Sequence, residues 1–438
     1  MTAIAQLPPL APFAAPRPFD RHAAVAANGL RIHAIRQAAA PLVTVQLSIP
    51  FGVDSPEQTG IAELLAATLC TGTTELDRAA IEDEIALAGG ALRCTVDPER
   101  LVLSVTVLTG GLPGTLAVIA RCLAGARYPE AELDRERTRL IERVKLANAT
   151  PKLVARQEIL RHCFAGHPLT RQVPEMEHVL AADAGAVRRL SERNLVPSGA
   201  TLLLVGDVEP ARTAELAAEI FQPWQAEHPA RHLAPLPALV AGRPTGVAEC
   251  PQLRTAAVRM VAPSVRRDDP RFPALYLANL VLGGYFSSRL NTNLRERAGL
   301  VYGVQSLLLQ HAGTPLTMIE FDTGAASGQA ALDRVVGDLA ELAEHGPGGD
   351  EVDRARRYAT GVTAIYLTTR EGIVDRVSGA LAAGLEPGWL HEHLARVAEV
   401  PHAEVARAAR ELLAPAGFTN LIVTNTAPSH QGSPREER

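Results

Sequence analysis

The sequence lacks the features that would place it in a membrane, on nucleic acid or in an oxidising compartment. It contains no run of about 18 consecutive apolar residues, which a membrane-spanning helix requires. Its net charge is −5, whereas proteins that bind nucleic-acid phosphates carry an excess of basic residues. Its five cysteines are an odd number without paired spacing, which argues against disulfides or a zinc site built from cysteine. We therefore expect a cytoplasmic protein with no membrane span and no nucleic-acid partner.

The two ends of the chain do not have the pattern of a folded domain. Residues 1–20 lack the basic segment that opens a signal peptide, and prolines interrupt their apolar residues. Residues 426–438 are polar. We predict that both segments are disordered, while the 47% hydrophobic composition of the chain as a whole is typical of a globular protein.

The order of predicted strands and helices occurs twice. Residues 21–226 begin with two β-branched strands, continue through helices and a hairpin that turns at Asp97–Pro98, and end in the strand TLLLVGDV. A segment rich in Pro, Ala and Gly, 227–246, predicts a linker. Residues 247–425 start again with the strand RTAAVRMVAP and end in TNLIVTN. The sequence predicts an α+β fold of two duplicated halves, each a mixed or antiparallel sheet flanked by helices.

One predicted helix is nearly empty of polar side chains. It lies in residues 60–73, GIAELLAATLCTGT, and Glu63 is its only charged residue. The positions one turn later are Ala66 and Ala67.

Five segments, in their order along the chain, carry a resemblance to a known family. They are NGLRIHAIR, FGVDSPEQTGIAELLAATLCTGT, FAGHPLTRQV, LLLVGDVEP and LGGYFSSRLNTNLRERAGLVYGV. With these segments the chain resembles the pitrilysin and mitochondrial-processing-peptidase family, the inverzincins. The resemblance implies that the two halves together form one half of a clam-shell chamber.

The resemblance also identifies the empty helix as a former zinc helix. Active members carry His-x-x-Glu-His there, with two histidines as zinc ligands and the glutamate as base for a metal-bound water. This chain has Glu63, Ala66 and Ala67 in those places. The position of the family's third ligand, a glutamate, corresponds to Arg143, or to Glu142 if the register slips by one. We expect no catalytic zinc and no cofactor in this chain.

A second part of the family's site is present. Active members hold the peptide opposite the zinc with an arginine and a tyrosine seven residues apart, which correspond to Arg295 and Tyr302. We predict a helix over 287–297, opened by a serine, with Gly299 just beyond its end. Further substrate contacts are expected from Ser287, Ser288, Arg289 and Asn291. The alternative is that Arg295 is a cation at a helix end and Tyr302 a half-buried strand residue.

The family includes heterodimers in which one chain carries the zinc and the other the Arg/Tyr pair. The resemblance therefore implies a non-catalytic, substrate-positioning subunit of a heterodimeric zinc endopeptidase. Its substrates would be short peptides or precursor and leader peptides, and its partner a homologous chain with His-x-x-Glu-His. Two alternatives remain: a structural scaffold like the core subunits of respiratory complexes, and a peptide-binding homodimer without peptidase activity.

The 13 histidines do not suggest a metal site elsewhere. His391 and His393 are two residues apart, so on a helix they do not share a face. We expect both at the surface.

Overall fold

The computed structural model describes residues 16–240, 244–251, 253–311 and 313–425. The expectation of disorder for 426–438 lies outside these residues, as does most of the expectation for 1–20. Residues 16–20 have no regular structure. None of the helices in the described ranges is long and apolar enough to cross a membrane.

The first half is built on a mixed sheet. Its strands are β1 (Arg21–Val25), β2 (Arg31–Arg36), β3 (Leu42–Pro50), β4 (Arg93–Val96), β5 (Arg100–Leu108) and β6 (Thr201–Gly206). They lie in the order β1-β2-β6-β3-β5-β4, with β6 parallel to β2 and antiparallel to β3. Every residue of β6, the strand TLLLVG, is buried, as expected for a central strand covered on both faces.

Eight helices follow or connect these strands in the described part of the first half. They are α1 (Pro56–Thr68), α2 (Arg78–Leu87), α3 (Leu112–Gly125), α4 (Glu130–Asn148), α5 (Pro151–Phe164), α6 (Met176–Ala181), α7 (Ala184–Asn194) and α8 (Pro210–Ile220). The hairpin between β4 and β5 turns at Asp97–Pro98, as predicted, because the Asp97 carboxylate accepts hydrogen bonds from the backbone N–H groups of Glu99 and Arg100. Residues 227–240 have no regular structure.

The second half repeats the topology of β2 to β6 and has no counterpart of β1 among its described strands. Its strands are β7 (Gly246–Glu249), β8 (Thr255–Pro263), β9 (Val301–His311), β10 (Thr314–Gly324) and β11 (Thr419–Thr424). They lie in the order β7-β11-β8-β10-β9, and β11 is parallel to β7 and antiparallel to β8. The final strand of each half thus enters its sheet between equivalent neighbours, which confirms the duplicated α+β fold.

The two halves exchange helices: a helix from each half packs on the sheet of the other half. The helices of the second half are α9 (Phe272–Asn279), α10 (Gly328–His345), α11 (Gly349–Tyr366), α12 (Arg370–Ala382), α13 (Trp389–Glu399) and α14 (His402–Leu412). The α5 helix of the first half packs on β8 and β11, and the α12 helix of the second half packs on β6. Val377 of α12 shares a core with Leu203 and Val205, the residues of β6 that face away from the first-half helices. Separating the halves would therefore expose apolar sheet faces to water.

The helix predicted over 287–297 begins later and is wider than expected. Residues Asn291–Arg297 are wound as a π-helix, with a hydrogen bond from the Ala298 N–H to the Asn293 carbonyl. Gly299 follows it with φ +61°, so the prediction of a left-handed residue beyond the helix end is confirmed. Such widened turns often occur at functional sites.

His393, expected at the surface, is half-buried against aromatic rings. Its ring stacks on Trp389, with 4.6 Å between centroids, and lies 5.3 Å from the ring of Phe272. Residues four apart share a helix face. The rings of Trp389 and His393 therefore both pack against Phe272 of α9. Burial, with smaller contributions from Arg267 and Arg396, lowers the pKa of His393 to about 3.

Acidification is expected to destabilise the chain through His393. Between pH 7 and pH 5 the histidine of the unfolded chain, whose pKa is about 6.5, takes up a proton. In the folded chain His393 stays neutral over this interval, because its pKa is about 3. The wild-type chain should lose about 2 kcal/mol more unfolding free energy over this interval than the His393→Phe variant. Urea unfolding at the two pH values measures the difference, and equal losses for both chains would contradict the assignment.

Candidate functional site

The former zinc helix α1 is held in place by close packing. A Cβ atom on Gly60 would lie 3.2 Å from Val179 Cγ2 of α6, so the glycine allows the two helices to approach. Ala66 and Ala67 line a cavity of about 440 Å³ that also contains Cys70 and Cys94. The helix is therefore packed closely against α6, and Ala66 and Ala67 present only methyl groups to the cavity.

An ion pair joins two positions of the former zinc site. Arg143 Nη2 of α4 lies 3.6 Å from Glu63 Oε2 of α1. Burial raises the pKa of Glu63, and the Arg143 charge opposes this shift. Glu142 instead pairs with Lys145 at 2.8 Å on the exposed side of α4. Of the two candidates that the sequence left open, Arg143 is therefore the one that faces α1.

These residues do not fit a zinc ion. A zinc site needs three protein ligands from histidine, cysteine or carboxylate side chains. Glu63 is the only such group among the four positions, and the guanidinium of Arg143 lies beside it and would repel a cation.

Arg295 and Tyr302 line a second cavity, of about 950 Å³, in the other half of the chain. Asn291 connects the π-helix to β9: its Nδ2 donates to the Val304 carbonyl at 3.0 Å, and its Oδ1 accepts from the Val304 N–H. Gly299 reverses the chain between the two elements. These contacts bring Arg295 and Tyr302 to the wall of one cavity.

The surroundings of Arg295 and Tyr302 differ. The Arg295 guanidinium lies 3.8 Å from the centroid of the Phe286 ring, and its Nη2 donates to Glu296 Oε1 at 2.9 Å. The ring contact and the hydrogen bond hold the guanidinium in one orientation. Tyr302 is 99% exposed, so the alternative of a half-buried strand tyrosine is wrong.

The four further residues expected to contact substrate are not all in this cavity. Ser287 and Arg289 line a different cavity, and Arg289 makes two 2.7 Å hydrogen bonds to the Glu351 carboxylate. Ser288 is buried and its Oγ accepts from Asn291 Nδ2 at 3.1 Å. Of the four, Asn291 lines the cavity of Arg295 and Tyr302, where its side chain is used in the connection to β9.

The cavity of Arg295 and Tyr302 has a charged floor that sequence reasoning missed. Arg259 of β8 and Glu320 of β10 lie directly opposite each other in the sheet and are 1% and 5% exposed. Lys152, from the first turn of α5, reaches the same place. The available signal was a charged residue in the middle of an apolar strand, AAVRMVA in β8 and TMIEFDT in β10.

Two family models match most of the chain. The model described as Insulinase (Peptidase family M16) matches residues 31–175, and the model described as Peptidase M16 inactive domain matches residues 182–358. An uncharacterized zinc protease of Streptomyces coelicolor is 25% identical over 365 residues, which cover 82% of this chain and 80% of that protein.

Solved structures show the same fold. A peptidase M16 inactive domain from Pseudomonas fluorescens superposes with a TM-score of 0.81 at 21% identity, covering 93% of this chain and 98% of that chain. A protease from Helicobacter pylori superposes with a TM-score of 0.83 at 15% identity, covering 93% and 99%. With family models that match both halves, the chain belongs to the pitrilysin family, peptidase family M16, as a non-catalytic member.

Proposed function

We propose that this chain is the substrate-positioning subunit of a heterodimeric zinc endopeptidase. A homologous partner with His-x-x-Glu-His would supply the zinc, and this chain would supply Arg295 and Tyr302. The observation that carries the proposal is the contrast between the two cavities. The zinc positions hold the Glu63–Arg143 ion pair, whereas Arg295 and Tyr302 line an open cavity in which Tyr302 is fully accessible.

The chemistry of Arg295 and Tyr302 suits a peptide carbonyl. A guanidinium and a phenol both donate hydrogen bonds, and the guanidinium adds a positive charge. The oxygen of a scissile carbonyl gains negative charge as a nucleophile attacks, so donors aimed at that oxygen stabilise the transition state. In this role both side chains would orient the peptide and polarise its carbonyl, while the attacking water belongs to the partner.

The two former half-sites of this chain lie in different cavities. Glu63 and Arg143 line one cavity, of about 410 Å³, and Arg295 and Tyr302 line the other. A second chain is therefore needed to place a metal opposite Arg295. Short peptides or precursor and leader peptides remain the proposed substrates, and the odd number of cysteines is compatible with the proposed cytoplasmic location.

The purified chain alone is expected to contain no zinc and to cleave no peptide, because its zinc positions offer one carboxylate. Affinity purification from its own cells should recover a chain of similar length with His-x-x-Glu-His, and the pair should cleave peptides in a chelator-sensitive manner. Zinc content by mass spectrometry and a cleavage assay on each fraction measure this.

Stoichiometric zinc with intrinsic cleavage in the single chain would refute the proposal. A recovered pair without peptidase activity would favour the scaffold, and a peptide-binding homodimer would favour the third alternative.

A further inference from the structure

The floor of the Arg295/Tyr302 cavity is built from charged side chains that are almost completely buried. Arg259 and Glu320 face each other across β8 and β10 and both line the cavity. Burying a charge costs free energy unless charged or hydrogen-bonding partners compensate it. A pair so buried in the wall of an open cavity therefore needs an explanation.

Positive charge exceeds negative charge at this floor. Three cations approach the single carboxylate of Glu320: Lys152 Nζ at 2.8 Å, Arg259 Nε at 3.9 Å and Arg156 Nη2 at 4.0 Å. Asp322 adds a second carboxylate, whose Oδ1 lies 3.0 Å from Arg259 Nη1. Three cations against two carboxylates leave one positive charge without a counterpart in the group.

The hydrogen-bond donors of the floor are not used up. Arg259 Nη1 donates hydrogen bonds to the carbonyls of Val258 and Phe321 and to the Asp322 carboxylate. Its buried Nε has no hydrogen-bond partner. The Lys152 ammonium lies 2.8 Å from Glu320 Oε1 as an ion pair, and neither oxygen of this carboxylate has a hydrogen-bond partner. Its side chain is 54% exposed and lines the cavity. Lys152 thus offers accessible N–H groups to whatever enters the cavity, and the buried Arg259 beneath it adds positive charge.

We propose that this floor is a carboxylate-binding subsite that selects peptides with an acidic group. The inference rests on the proposed function, because it assumes that a peptide enters the cavity that Arg295 and Tyr302 line. A ligand carboxylate placed near Lys152 accepts charge-assisted hydrogen bonds and neutralises the excess charge. The same excess positive charge would repel a cationic group of a ligand. The carboxylate comes from an acidic side chain or from the C-terminus of the peptide.

The low number of lysines allows ligand binding at the subsite to be followed by NMR. The sequence contains two lysines, Lys145 and Lys152, with similar exposed fractions of 59% and 54%. Reductive methylation of the full chain with ¹³C-formaldehyde retains the charge of each lysine and gives each a dimethyl NMR signal, assigned with the Lys145→Gln and Lys152→Gln variants. The Lys152 signal reports on the subsite, and the Lys145 signal is an internal control on α4.

Four alanine-rich decapeptides serve as probes. They carry an internal Glu with an amidated C-terminus, an internal Gln with a free C-terminus, an internal Gln with an amidated C-terminus, and an internal Lys with an amidated C-terminus. At least one carboxylate peptide should bind about tenfold more tightly than the uncharged peptide and should shift the Lys152 signal but not the Lys145 signal. Which of the two binds more tightly identifies the source of the carboxylate.

The Lys152→Gln variant should lose the tenfold preference and keep the affinity for the uncharged peptide, whereas Lys145→Gln should change neither. Equal affinities for all four peptides, with weaker binding of all of them by Phe286→Ala, would leave the cavity as a peptide site and overturn the carboxylate subsite. Tighter binding of the Lys peptide would overturn it as well. No binding of any peptide would overturn both this inference and the proposed function.

Discussion

Replacement of Tyr302 by phenylalanine is expected to lower kcat of the reconstituted heterodimer by about 100-fold, the usual cost of removing one donor to a transition-state oxyanion. Tyr302 is 99% exposed, so its ring supports no core and loss of the hydroxyl should leave folding and assembly intact. KM should change little, because a donor aimed at the developing oxyanion acts mainly in the transition state. Steady-state kinetics of the co-purified pair on a cleaved peptide measure both constants.

Tyr366 provides a matched control. It is 39% exposed, and its ring lies 4.4 Å from the guanidinium carbon of Arg376, a contact that Tyr366→Phe preserves. This variant should cleave at the wild-type rate. An unchanged kcat in Tyr302→Phe would instead show that the hydroxyl takes no part in the reaction.

Restoring the missing zinc ligands is expected to turn the chain into a zinc protein. The combined variant E63H/A66E/A67H/R143E should bind one zinc ion per chain, whereas the wild-type chain should bind none. The physical reason is that α1 and α4 already bring the side chains of positions 63 and 143 within 3.6 Å. Ala66 and Ala67 border a cavity, which gives the larger side chains room. Elemental analysis after dialysis, with and without a chelator, measures the zinc content.

The variant E63H/A66E/A67H, which keeps Arg143, is the control for the third ligand. It lacks that ligand and retains a positive charge beside the metal position, so it should bind zinc at least about 100-fold more weakly. A folded four-residue variant without zinc would contradict the view that α1 and α4 keep the spacing of an active site. Circular dichroism verifies the folding of both variants.

Local patterns were sufficient for much of the fold. The apolar strand TLLLVGDV and the hairpin turn at Asp97–Pro98 are found where the sequence predicts them, because burial and turn chemistry act over a few residues. The expectation of vacant zinc positions at Glu63, Ala66 and Ala67 rests on residue types alone, since none of them completes the ligand set of a zinc site. The strand β1 and the helix α5 were not predicted, and α5 proved important because it supplies Lys152.

Neighbouring residues on α4 could not be told apart from the sequence. Successive side chains on a helix point about 100° apart, so a shift of one residue decides between Glu142 and Arg143. The packing of α4 on α1 makes Arg143 the partner of Glu63 and leaves Glu142 exposed. His393 is a similar case, because its burial depends on α9, a helix more than 100 residues earlier in the chain.

The sequence by itself determined the duplicated α+β fold and the family, because both depend on residue identity and local order. The vacant zinc positions and the Arg295/Tyr302 substrate pair stay predictions from the sequence. The tertiary structure decided that Arg143 pairs with Glu63, that Tyr302 is exposed, and that Lys152, Arg259 and Glu320 form one charged floor. Lys152 lies 107 residues before Arg259, which lies 61 residues before Glu320. The register of β8 with β10 and the packing of α5 on the second sheet bring the three together. Such contacts arise from long-range packing, which no pattern along the chain contains.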